Sequence, residues 1–422
     1  MAAQNPYELL RIKDYRNFLS SRFLLFVGLE IQFIVIGWVL YDMTKDPLTL
    51  GIVGLCEALP ALAITPFGGH FADRHDRRTI IKWAFTIAFL STIVLVVTAW
   101  NLHTLGRDLA ISIIYSVIVV QGCARGFAGP AIMALVVQLV PRERIPQSTA
   151  FNSSTWQLGT IAGPALGGLI FGLTNAQTAF LFATVILSIS LWLLLQVPSY
   201  PMPGRDERER FKTSFFEGWR FVRRNQLVLA PIAMDMFAVL FGGAVALLPV
   251  FASDILKVGP MGLGILRTAP SIGALSLGFY LAHHPMKGKM GTKLLWAVVG
   301  FGGSIIIFAL SENVVLSFGM LMLSGAFDNI SVIIRAQIVQ LVTPDGMRGR
   351  VSAVDSMFII SSNEIGAFES GFAAKLLGTV PSVIFGGVMT MLTVGLTAFL
   401  APKLRRARFE ELKEVKEKTV TA

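Results

Sequence analysis

Twelve apolar stretches alternate with short polar connections along the chain. They fall at about residues 18–41, 48–68, 80–100, 109–140, 148–172, 178–197, 227–251, 264–282, 294–310, 314–342, 351–377 and 383–400. Each is near the ~20 apolar residues that carry a helix through a bilayer's hydrocarbon. Gly and Pro recur inside them. Membrane helices accept both, because neighbouring helices satisfy freed backbone groups and small residues allow close contact. The pattern therefore predicts an all-α membrane protein of twelve spanning helices. The polar N-terminal stretch is followed by no cleavage site, so the first run is expected to be a retained span.

The longest connection, 198–226, falls at the midpoint. It carries Arg205-Asp206-Glu207-Arg208-Glu209-Arg210, then Phe211, Phe215, Trp219 and Val222 at helical spacing, with Arg220, Arg223 and Arg224 beside them. That spacing predicts an amphipathic helix in the membrane interface. The chain then divides into a first six-helix bundle (1–197), a linker (198–226), a second bundle (227–401) and a basic tail (402–422). The halves echo each other about half a chain apart. Val137-Gln138-Leu139-Val140 is matched by Val339-Gln340-Leu341-Val342, Asn152-Ser153 by Asp355-Ser356, and Gly163 and Gly168 by Gly366 and Gly371. A repeat of this period predicts two pseudo-symmetric bundles around a central pathway.

Composition supports the bilayer as solvent. Of 422 residues, 54% are hydrophobic and 15% charged, and the mean hydropathy is +0.66. The net charge of +10 would suit nucleic acid, but its placement speaks for topology instead. With a cytoplasmic N-terminus, the tails and even-to-odd connections hold 29 of the 36 Lys and Arg residues, Arg22 among them. The opposite face holds Lys45, Arg107, Lys257 and Lys375. Both termini are expected inside the cell membrane, with anionic lipid as the neighbour of the basic face. Cys56 and Cys123 lie in apolar runs, and the histidines form no ligand cluster, so neither a disulfide framework nor a metal site is expected. No catalytic triad, phosphate loop or cofactor motif stands out, and the connections are too short for a catalytic domain.

Ionisable groups at bilayer depth are costly and mark function. Glu30, Glu57, Asp235, Asp328, Glu364 and Glu369 lie within spans, as do Arg125, Arg267 and Arg335. Six acids face three arginines. A desolvated carboxylate without a cation holds its proton more tightly, as proton coupling requires. Each acid taken singly also fits a static ion pair. Phe33, Trp38, Trp156, Phe237 and Phe241 fit either an apolar cavity wall or ordinary packing.

Two motifs go further. Between spans two and three, Gly69, Asp73, Arg74, Arg77 and Arg78 follow the pattern G-x-x-x-D-R-x-x-R-R. A charged turn clamped between two spans holds its charges at one membrane face. Asp73 can meet a helix N-terminus or an arginine and latch that face. The second half has a degraded copy, Gly278–His283, without the acid. In span five, Gly159, Gly163, Pro164, Gly167 and Gly168 open one face to close packing, and the proline kinks the helix.

The charged turn resembles the loop between helices 2 and 3 of the major facilitator superfamily, although Asp76 stands where that family usually has Gly. Span five resembles the glycine-proline motif of its proton-coupled exporters, with Ala150 at the place of a first glycine. Span four departs from the pattern. Ile118 occupies the position of an exporter arginine ahead of Gln121-Gly122, and Arg125 lies two turns along the same face. With Trp38–Thr44, Pro141–Arg144 and Pro344–Val351, the chain is similar to the enterobactin-exporter and macrolide-efflux branch. The resemblance implies a bacterial inner-membrane drug:proton antiporter, working as a monomer by alternating access. It would move amphipathic drugs or siderophore-like molecules against protons. Helices 1, 4, 7 and 10 line the cavity in such families, which ranks Glu30 first as proton carrier, then Asp235, then Asp328 and Glu364. A symporter importing a small nutrient and a non-transporting receptor are the rival expectations.

Overall fold

The computed structural model describes residues 6–200, 211–284, 286 and 288–409. The charged run Arg205–Arg210 and the tail beyond 409 lie outside the described residues. Thirteen long helices follow in order: α1 (Lys13–Thr44), α2 (Leu48–Ala72), α3 (Arg77–Trp100), α4 (Arg107–Leu139), α5 (Ile145–Leu173), α6 (Ala176–Leu195), α7 (Phe211–Arg224), α8 (Gln226–Phe241), α9 (Gly259–His283), α10 (Met290–Leu310), α11 (Val314–Val342), α12 (Arg348–Leu377) and α13 (Thr379–Leu400). No strand occurs among the described residues.

Eleven of the described helical segments are long and apolar enough to cross a membrane, with Gln226–Ile255 counted as one. The stretch expected as the eleventh span, α12, has the length but carries Asp355, Asn363, Glu364 and Glu369 along it. The seventh span is not one continuous α-helix. Gly242-Gly243 stops α8, a 3-10 turn follows over Ala244–Leu247, and a π turn at Phe251–Ile255 completes the crossing. Consecutive glycines disfavour helix and admit a close neighbour, and discontinuous helices are a recurrent transporter feature.

The chain resolves into two compact units. The first comprises residues 1–204 and 249–268, and the second 205–248 and 269–422. In the first, α1 runs along α5 and α6, and α4 along α2 and α3. Small polar residues bring α1 and α6 together: Ser21 Oγ donates to the Ser190 carbonyl (2.6 Å) and Ser190 Oγ to the Ser21 carbonyl (2.7 Å). Tyr200 Oη donates to Asp14 (2.7 Å), tying the end of this half to the start of α1; burial and that carboxylate push its hydroxyl up to about 12. In the second unit, α10 packs on α11 and α13, and α8 on α12 and α13.

The repeat seen in the sequence does the same work in each unit. Gly122 of α4 lies against the Glu57 backbone of α2, and Gly325 of α11 against the Pro270 backbone of α9. Gly163 of α5 lies against Val27 and Glu30 of α1, and Gly366 of α12 against the Leu240 backbone of α8. Close backbone approach at matched positions is what small residues supply when helices associate in lipid.

Candidate functional site

In the second unit, α11 places Arg335 one turn beyond Ser331, facing α8. Arg335 Nη2 lies 3.2 Å from Asp235 Oδ2, and Nη1 pairs with Asp355 on α12. Ser331 Oγ donates to the other oxygen of Asp235 (3.3 Å). Arg335 is 3% exposed and Asp235 6% exposed, so the pair is held out of water. Asp328, two turns earlier on α11, acts electrostatically on both. The cluster therefore pairs two carboxylates with one guanidinium and has a third within electrostatic reach. At such depth each charge depends on its partners. Of these four groups, sequence reasoning picked out Asp235, Asp328 and Arg335 and passed over Asp355. The available signal was its place in the repeat, opposite Asn152.

Asn152 has the equivalent task in the first unit: Arg22 Nη1 donates to its Oδ1 (2.6 Å). Arg22 lies inside α1, with its guanidinium 5.2 Å over the Phe26 ring. It was counted with the basic face in the sequence; the structure half-buries it within α1. Further along α1, Glu30 has no hydrogen bond or ion pair among the described residues; Arg267 and Glu57 act on it electrostatically. Arg267 stands 4.6 Å over the Phe33 ring. Glu57 pairs with Arg125 at 2.6 Å. Gly122 makes that pair possible, because its missing side chain lets α4 touch α2 one turn before Arg125. Gln32, fully buried, donates to Thr92 (3.5 Å) and accepts from Gln121 (3.2 Å), a neutral chain across α1, α3 and α4. Glu364 and Glu369 lie half-buried on α12; Glu369 has no hydrogen bond or ion pair among the described residues.

The span-five motif forms a stripe on α5. Gly159 meets Phe26, Gly163 meets Val27 and Glu30, and Gly167 meets Ile31, all on α1. Gly168 and Gly172 face the start of α9, at Gly264 and Met261, with the nearest Gly168 contact 2.6 Å from the place a side-chain carbon would take. One helix thus holds Glu30 and the approach to Arg267 together. At the C-terminal ends of α1 and the seventh span, Tyr41 Oη donates to Asp254, which also accepts from Ser253 Oγ (2.6 Å).

The charged turn is anchored to the body of α4 and to the end of α6. Arg77, 9% exposed, donates to the Ala134 carbonyl of α4 (3.1 Å), and Arg78 to the Leu195 carbonyl that ends α6 (2.7 Å). A cation on the last carbonyls of a helix, as Arg78 is on α6, is favourable. Asp76, the departure from the family pattern, caps α3: it accepts from the backbone of Arg78 and Thr79 (3.3 Å each) and from Thr79 Oγ1 (2.8 Å). Asp73 closes α2 by donating its N–H to Gly69 (3.1 Å), and Asp73 and Arg74 are exposed. A side-chain carbon at Gly69 would meet nothing within 4 Å. Gly69→Ala is therefore expected to leave thermal stability within about 1 kcal/mol of the parent, since alanine is the better helix former. A larger loss in a detergent melting curve would show that this glycine is sterically required here.

Ion pairs within the spans and glycine-packed helix pairs in both units, with one broken helix in the seventh span, define a membrane transporter of the major facilitator type. The chain belongs to the transmembrane secretion effector family, whose model matches residues 5–420. It is 25% identical over 398 residues, 93% of each chain, to the enterobactin exporter EntS of Escherichia coli O1:K1 / APEC, and equally to that of Shigella boydii serotype 18. Solved structures share the fold. A bacterial homologue of the iron transporter ferroportin, in an inward-facing state, matches with a TM-score of 0.69 at 18% identity, covering 95% of this chain and 100% of that one. A bacterial homologue of the human lysosomal transporter Spinster matches at 0.70 and 13% identity, covering 96% and 98%.

Proposed function

We propose that this transporter is a proton-coupled exporter of amphipathic small molecules, siderophore-like or drug-like, in the bacterial inner membrane with both termini cytoplasmic. It works as a monomer by alternating access of two bundles, 1–197 and 227–401, joined by 198–226. Export is supported by similarity to EntS over nearly the whole of both chains, together with the glycine-proline stripe of α5. The turn at Gly69–Arg78 is the cytoplasmic latch in this reading.

Proton coupling rests on one observation above the others: one guanidinium, Arg335, pairs with both Asp235 and Asp355, and Asp328 lies within electrostatic reach of it. A proton taken up on one side and released on the other would offset that charge imbalance, and the substrate's passage would set which side is open. Glu30, held beside Arg267, is the second carrier candidate. Inverted vesicles with an acid interior test the whole reading, using enterobactin and an amphipathic dye as probes. Uptake driven by the proton gradient is expected, with loss of about tenfold or more in Asp235→Asn, the size of effect typical for groups that handle a proton. Uptake indifferent to the gradient, or accumulation only in right-side-out vesicles, would exclude a proton-driven exporter. If Asp235→Asn, Asp328→Asn and Glu30→Gln all leave coupling intact, the carrier is elsewhere.

A further inference from the structure

Arg22 is a half-buried cation within α1 whose partners among the described residues are an amide and a ring. A guanidinium is a planar fork of N–H donors. Arg22 bonds through Nη1 to Asn152 Oδ1 (2.6 Å), and its Nε meets no acceptor among the described residues. The amide is fixed from behind. Asn152 Nδ2 donates to the Ser148 carbonyl (3.0 Å), which also accepts from Tyr15 Oη (3.3 Å). The acids at this end of the unit are engaged elsewhere: Glu8 pairs with Arg144 (2.6 Å), and Asp14 accepts from Tyr200 (2.7 Å).

The repeat supplies the contrast. Asn152 stands where the second unit has Asp355, and Asp355 pairs with Arg335. At one matched position, then, an arginine meets a carboxylate in one unit and a neutral amide in the other. A cation drawn partly out of water without an anion is costly. Its fork is complementary to an oxyanion.

The surroundings suit an organic anion. Arg22, Phe26, Glu30 and Phe33 recur three or four residues apart and share one face of α1. All four are half-buried, whereas Val27, Ile31, Ile34 and Val35 on the opposite face are buried. A guanidinium lies over a ring at each end of this stripe, Arg22 on Phe26 and Arg267 on Phe33. The acid of the stripe, Glu30, is under the influence of Arg267. The Arg22 end keeps a ring and a positive charge.

We infer that Arg22, held by Asn152 and Phe26, is a binding subsite for an oxyanion of the transported molecule, whose apolar body lies along Phe26 and Phe33. The subsite rests on the exporter reading and narrows the cargo to amphipathic anions.

Binding is tested on the purified full chain in neutral detergent, with radiolabelled naphthalenesulfonate and its uncharged counterpart naphthalenesulfonamide as probes. The parent should hold the sulfonate about tenfold more tightly, the worth of hydrogen bonds to a charged group. Arg22→Gln should remove that preference and leave sulfonamide binding unchanged. Asn152→Asp places beside Arg22 the carboxylate that the second unit has. It should abolish the preference while the melting temperature holds or rises, which separates loss of the site from loss of the fold. Counterflow of the sulfonate in proteoliposomes should be present in the parent and absent in both variants. Counterflow needs neither a proton gradient nor a fixed orientation, so its failure is distinct from failure of proton-driven export. Equal binding of the two probes by the parent, a preference that survives Asn152→Asp, or counterflow unchanged in the variants would overturn the proposal. So would displacement of the sulfonate by phosphatidylglycerol but not by phosphatidylcholine, which would make the occupant a lipid headgroup.

Discussion

Replacing Arg335 by methionine is expected to cost about 3–5 kcal/mol of stability, because it leaves buried acids without their cation. Asp235 and Asp355 both depend on that guanidinium, and Ser331 satisfies only one oxygen of Asp235. The loss should appear as a lowered melting temperature in detergent and as poor recovery from the membrane. Asp235→Asn should be milder, since the amide still accepts from Ser331 and Arg335 keeps Asp355. Removing all three charges at once, Arg335→Met with Asp235→Asn and Asp355→Asn, should recover part of the loss, because residues in one network do not add. A single Arg335→Met as stable as the parent would mean that water reaches the cluster freely.

The second large effect is expected at Gly163. Leucine there would be driven into Val27 and Glu30, which already touch the glycine, so α1 and α5 must separate. Overpacking of this kind costs about 1–3 kcal/mol. It should also displace Glu30 from the neighbourhood of Arg267, so gradient-driven uptake should fall more steeply than stability. Gly69→Ala, at a site with open space, is the contrast. Full uptake by Gly163→Leu would show that the stripe is not tightly packed during transport.

The spans were legible because a bilayer imposes a simple rule, a run of apolar residues of fixed length. The glycine positions were legible for a related reason: a repeat preserves the places where backbones touch, and Gly163 and Gly366 do so in both units. Asp355 was missed because its cation lies on a different helix, 20 positions earlier in the chain, and spacing within one helix is silent about neighbours. Arg22 was misread because counting charges by face assumes that a cation near a span's end reaches water, whereas this one turns to Asn152. Asp76 looked like a lapse from the family pattern. Its carboxylate supplies the N-cap that starts α3, a local gain the pattern does not encode.

The polarity of α12 has a consequence for how the protein is made. A helix bearing Asp355, Glu364 and Glu369 is a poor client for the translocon when it emerges alone, since charged side chains at mid-helix oppose partitioning into lipid. Its insertion must lean on helices already delivered, with α11 offering Arg335 and α8 offering the backbone that Gly366 contacts. Biogenesis of the second half is then ordered by chemistry as well as by synthesis, and a fault in an early helix would surface as a late one left outside the bilayer.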